Sequence, residues 1–307
     1  MNGSYPTSNG KKTSYKEKMK FILSLPFFLA LFLAPGCATG PDTLPSKPVV
    51  AIKVLHKERI IELPVEEYVA RVLAGEVSES WPMEALKAQA IAARTFAIKK
   101  MGERPKAQFH IKSSVMDQVF KTKTRPKFQE ATKETSGLVL TDGKRLVETS
   151  FHSTCGGSTT SAQSVWGQPH SHLTGVKCPY CRHSPTHSWT YKMPLWELEE
   201  KLGTKISSLK ILGKTKDGRI DKIAVNGAKP TTISGHKLRS TIGHMKLKST
   251  LLDDLKVAGG TIEFSGHGFG HGVGMCQYGA MGMAKKGFDA RQILGFYYPK
   301  TKIMKLY

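Results

Sequence analysis

Acidic side chains are scarce in this 307-residue chain. Only 24 Asp and Glu stand against 46 Lys and Arg, which leaves a formal charge of +22. Cysteine is rarer still, at five positions, and that excludes the dense cross-linking on which many small secreted scaffolds depend. No long apolar run follows residue 34, so the body of the chain offers no membrane-spanning helix. No internal repeat is evident, and no regular strand–helix alternation, which argues against a doubly wound parallel sheet. What is present suffices for a packed core: 39% of residues are apolar. The length fits one large domain or two small ones after removal of an export signal.

The one apolar run lies at the N-terminus. Lys11, Lys12, Lys16, Lys18 and Lys20 precede Phe21–Ala34, which only Ser24 and Pro26 interrupt. This is the plan of a secretory signal over residues 1–36, too short and Pro-broken for a stable span. Leu33-Ala34-Pro35-Gly36-Cys37 resembles a bacterial lipobox, in which the cysteine is lipidated and becomes the mature N-terminus. The expected product is an exported lipoprotein, anchored to a membrane at Cys37 and facing the cell wall or periplasm. Removing residues 1–36 takes away five lysines and Glu17, so the remainder stays strongly basic. An exported chain meets little nucleic acid, and the anions left for its field are wall polymers and lipid headgroups.

Residues 37–48 are small, polar and Pro-rich, and read as a linker. Val49–Leu55 and Arg59–Leu63 read as paired strands. Pro64 opens a helix with an apolar stripe at Val65, Tyr68, Val69, Val72 and Leu73, capped at Gly75. A second, alanine-rich helix runs from Pro82 to Lys100, and a third from Pro126 to Gly137. Leu138–Thr141 and Lys144–Ser153 read as a hairpin across Asp142-Gly143. Residues 189–260 carry few grouped chemical residues and read as a smaller inserted lobe within a domain spanning 49–307. A helix over Met281–Gly287 and a last strand ending at Tyr307 close the chain. The expected fold is α+β: a mixed catalytic domain with a substrate groove.

Glu76 falls just past the first helix, where the negative pole favours the protonated carboxyl. In a partly dry spot it would be a general acid. On the second helix Arg94 shares a row with Leu86, Ala90 and Ile98. It is either a snorkelling arginine or a charge held for Glu76 or a ligand. One strongly placed carboxylate, not a pair, stands out, whereas hydrolytic glycosidases usually need two.

Residues Gly266–Ala280, GHGFGHGVGMCQYGA, concentrate polar reach on little bulk. Glycines at 268, 270, 272 and 274 oppose a helix and suggest close backbone approach. A sugar groove has that need, with His267, His271, Gln277 and Tyr278 for hydroxyl contacts. A metal site with Cys276 as a third ligand, or a purely structural loop, stays open. Trp166 is a stacking platform or plain core. Cys155, Cys178 and Cys181 with one histidine make a common tetrahedral zinc set. His152 is the favoured fourth ligand and His183 the next. A disulfide is the competing reading, and three thiols cannot all pair.

EVxxxWPxEALKAQAIAARTFA, FHSTCGG, SVWG and GHGxGMxQYGA occur in order. Together they resemble the stage II sporulation protein D (SpoIID) and amidase-enhancer family over residues 49–307. The resemblance implies a lytic transglycosylase acting on peptidoglycan glycan strands stripped of stem peptides. It places Glu76 at the catalytic glutamate and Arg94 at the motif arginine. It also implies an alternative: a wall-binding protein that works with an amidase partner. Cys276 stands where the family motif usually has serine.

Overall fold

The 21-residue helix Met83–Glu103 is buried on every side through its middle, from Ala88 to Ile98. Its amphipathic stripe is accordingly absent, as expected of a core helix. Alanines at 85, 88, 90, 92, 93 and 97 let neighbours pack close on all its faces. The computed structural model describes residues 51–114 and 117–307. The signal segment, the linker and Cys37 lie outside the described residues.

On one side of this helix pack Val65–Glu76 and Pro126–Glu134. Alongside lies a sheet in which Ile52–His56 pairs antiparallel with Arg59–Leu63 and parallel with Ile111–Lys112. Tyr68, Leu73, Leu86 and Ile111 fill the core between them. On the other side Ala88, Ile91 and Ala92 meet a second core with Val273, Met275, Ile293 and Leu294. It carries the C-terminal helices Gln277–Lys285 and Ala290–Tyr297.

The expected hairpin from Leu138 to Ser153 is corrected. Leu138–Thr141 pairs antiparallel with the C-terminal strand Lys302–Lys305, and the return is short: Leu146 bridges Thr141 and the Val147 N–H donates to the Leu140 carbonyl at 3.2 Å. Beyond Val147 the chain leaves this strand, and Phe151–His152 pairs in parallel with Met275–Cys276.

Residues 188–267 build a third core around Met193, Ile223, Leu238 and Phe264. Two three-stranded antiparallel sheets form it. One joins Ser188–Pro194, Thr261–His267 and Leu252–Ala258; the other joins Ile206–Lys214, Ile220–Gly227 and Thr231–Ser234. Arg219 reaches from this region to the Cys155 and Ser158 carbonyls, at 3.0 and 3.3 Å. The architecture is α+β: helices with several small sheets and, among the described residues, no barrel.

Candidate functional site

Glu76 is the last residue of the helix Val65–Glu76, and Gly75 sits inside that helix rather than capping it. Gly75 is required for a different reason: a Cβ there would strike the Val119 carbonyl. That close approach brings the Val119 amide to Glu76, and it donates to Oε1 at 2.8 Å. The Gln277 side chain donates to Oε2 at 3.1 Å. Burial pushes the Glu76 pKa up and outweighs these two donors, which favour the ionised form.

The carboxyl opens on a cavity of about 490 Å³. Phe96, Val119, Phe151, His152, Trp166, His271 and Gln277 line it, together with Arg239, His236, His244 and Met245 from the 188–267 region. Trp166 ends the short helix Ala162–Trp166 and leaves 46% of its surface open, beside the His271 ring at 5.3 Å. An indole face so displayed suits stacking on a sugar ring.

Of the four histidines on the cavity, His152 and His271 are held neutral, each for a stated reason. The Val273 N–H donates to His271 Nδ1 at 3.0 Å, so the proton sits on Nε2, which donates to the Phe151 carbonyl at 3.0 Å. Burial pushes the His271 pKa down to about 4. His152 is more deeply buried and is held well below the ordinary histidine range by burial, then by His271 and Arg219. Its Nδ1 bonds the Val273 carbonyl at 3.1 Å, and its buried Nε2 has no partner among the described residues. The glycines make this packing feasible. Gly270, at φ +116°, would put a Cβ 2.7 Å from that of His152, and Gly274, at φ +70°, lies against the Ser150 carbonyl.

Glu76, Trp166, His271 and Gln277 therefore share one cavity, and His152 stands with them. Four expectations are corrected. Arg94 is fully buried and does not line the cavity. Its Nε and Nη2 bond Glu66 at 3.0 and 2.6 Å, and its remaining donors reach the Leu138 and Thr132 carbonyls. Its row on the second helix is covered by the helix Pro126–Glu134 and by Leu138, so no ligand reaches it. His267 faces Asp253, 2.9 Å from its Nε2, and bonds the Ser188 hydroxyl and the His187 carbonyl through Nδ1. Tyr278 follows Gln277 on a helix, about 100° around the axis, so the cavity-facing glutamine turns it against Trp81 and His183. His152 is not a thiol neighbour: the fourth residue beside Cys155, Cys178 and Cys181 is Cys276.

Sequence reasoning missed two charged residues on the cavity wall. Asp117 is a second carboxylate, its Oδ2 occupied by the Lys112 N–H at 2.9 Å. Arg239 bonds the Leu247 and His244 carbonyls at 2.9 and 3.3 Å, and among the described residues no carboxylate pairs with it. Burial, then Arg219, pushes its pKa down to about 10, so it stays cationic at neutral pH.

Residues 56–141 match the family model described as Stage II sporulation protein, and residues 184–274 match one described only as a domain of unknown function. Stage II sporulation protein D of Bacillus subtilis is 34% identical over 287 residues, covering 86% of this chain and 81% of that protein. An uncharacterised protein of Brachyspira hyodysenteriae is 36% identical over 252 residues, covering 79% of this chain and 67% of that protein. The amidase enhancer of Bacillus subtilis is 28% identical over 288 residues, covering 76% of this chain but 39% of that protein.

Proposed function

The chain belongs to the stage II sporulation protein D family, and from that premise we propose that it is a wall-facing lytic transglycosylase cleaving stem-peptide-free glycan strands. The observation that carries the reading is Glu76: a carboxyl raised by burial, held by two N–H donors, on a cavity with an open tryptophan face. No helix among the described residues is long and apolar enough to cross a membrane. In this reading Cys37 carries the lipid that keeps the protein at the wall.

In the proposed reaction the protonated Glu76 gives its proton to the glycosidic oxygen between N-acetylmuramic acid and N-acetylglucosamine. The C1–O bond breaks and the glucosamine leaves with a free 4-hydroxyl. The 6-hydroxyl of the same muramic residue bonds to C1, and its proton returns to the Glu76 carboxylate. The product carries a 1,6-anhydro end, and no water is consumed. Trp166 stacks on a sugar. Arg239, not Arg94, holds the lactyl carboxylate that removal of the stem peptide exposes.

Mass spectrometry of amidase-stripped glycan after incubation with the protein tests the reading. Anhydromuramic ends support it. Reducing ends would instead assign Asp117 the second-carboxylate role of a hydrolase. Unchanged strands would favour a binding protein that serves an amidase, the reading to which the amidase-enhancer relative points.

Two further outcomes follow. The free enzyme is active with Glu76 protonated, so kcat/KM falls as pH rises through that residue's raised pKa. His271, already neutral above about 4, adds no limb there; burial likewise holds His152, His236 and His244 below the ordinary histidine range, and Asp117 and Tyr68 also lie near Glu76. A pH–rate profile on stripped glycan checks this. Arg239→Gln raises KM roughly tenfold, the scale of a hydrogen bond to a charged group. The wild type discriminates against glycan whose lactyl carboxylates are amidated, and the variant does not.

A further inference from the structure

Four cysteines from three remote stretches converge behind the cavity. Cys155, Cys178, Cys181 and Cys276 are all buried and free, and their sulfurs lie within 4.8 Å of one another. Cys155 and Cys181 are 3.5 Å apart. Four sulfurs about 2.3 Å from a zinc ion at tetrahedral angles stand about 3.8 Å from each other, so the cluster has the right size. A disulfide would need about 2.05 Å for one pair and would leave the other two sulfurs crowded against it.

The surroundings suit a negatively charged centre. The Cys155 and Gly279 N–H groups each point at Cys276 Sγ from 3.2 Å, and the Tyr297 hydroxyl lies 3.1 Å from Cys178 Sγ. Cys276 is the N-cap of the helix Gln277–Lys285, whose positive end therefore faces the sulfurs. Such donors are what a tetrathiolate needs around it. Gly279 also has its reason here, since a Cβ would come within 2.8 Å of Cys178 Sγ. The His152 ring packs against His271 and bonds the Val273 carbonyl, and His152 is not among the residues that meet at the sulfurs.

We infer that Cys155, Cys178, Cys181 and Cys276 bind one zinc ion as a closed structural tetrathiolate site. Binding converts four thiols and Zn²⁺ into a complex of net charge −2 and releases four protons. All four positions are protein sulfur, so no site is left for water or substrate, and the metal takes no part in the reaction. The site ties the loop after Phe151–His152, the 178–181 turn and the helix bearing Gln277 to one point. The cysteine that departs from the family's usual serine is the residue that completes the set.

The test needs no glycan, so its failure is separate from failure of the proposed activity. The purified full chain is expected to hold about one zinc per molecule by elemental mass spectrometry. Alkylation mapped by peptide mass spectrometry should find all four cysteines protected in the native protein. After denaturation with a chelator, and without any reductant, all four should react. Chelation should lower the thermal midpoint by roughly 10 °C or more. Cys276→Ser should lose the bulk of the zinc, and if it does not fold, the wild-type measurements still decide. Four cysteines that alkylate only after reduction would show disulfides and overturn the site. Freely reactive native thiols without metal, or iron in place of zinc, would overturn it as well.

Discussion

Glu76→Gln is expected to slow the release of anhydromuramic ends about a thousandfold, within the range general acid–base catalysis spans. Glycan binding should change little. The substitution keeps the shape, and the glutamine carbonyl still accepts from the Val119 N–H. Its amide nitrogen then faces the Gln277 amide nitrogen, two donors, and a flip of the Gln277 amide restores the pair. Chromatographic rates on amidase-stripped strands, with a pull-down on the same glycan, separate catalysis from binding. A variant that cleaves at the wild-type rate would show that another group donates the proton.

Arg94→Met should leave cleavage near the wild-type rate at low temperature but destabilise the fold by roughly 3 kcal/mol. That is the low end for breaking a buried ion pair, because Glu66 keeps an exposed edge. The thermal midpoint should fall by about 6–12 °C. Glu66 is left with the Ser136 and Tyr307 hydroxyls and the Gly137 N–H. Burial alone would raise the Glu66 pKa; the Arg94 contact, Tyr307 and Gly137 together hold it below the ordinary value. Its contribution is therefore complete above the unfolded-state pKa and is lost as pH falls through the lower folded one. The gap between variant and wild type should shrink on acidification, read by denaturant titration at several pH values. Lost activity with unchanged stability would put Arg94 back at the substrate.

These two residues show how far the chain could be read unaided. Glu76 was legible because its signals are local: the end of a helix and the EVxxxWP motif around it. Arg94 was misplaced because an i, i+4 row says which residues share a face, not what covers it. Its cover comes from Thr132, Leu138 and, through Glu66, Tyr307 at the end of the chain. Cys276 could not be joined to the Cys155, Cys178 and Cys181 set for the same reason. It lies 95 positions beyond Cys181, and only the parallel pairing with Phe151–His152 brings it to Cys155. The Asp142-Gly143 turn is real, but the return is short, because the Leu140 N–H on that edge donates to the Thr95 hydroxyl of the core helix, while Lys302–Lys305 pairs along the opposite edge. The helix Ala290–Tyr297 had a readable signal that went unused, a capping box from Asp289 to Gln292. Arg239 had none, since nothing local marks a residue in one core as the wall of a cavity shared with another.

The central claim is that the muramic residue's own hydroxyl, not water, takes the anomeric carbon. Digestion of stripped glycan in water enriched with heavy oxygen tests it most directly. The account predicts new ends that are one water lighter than reducing ends and carry no label. Labelled reducing ends would contradict it.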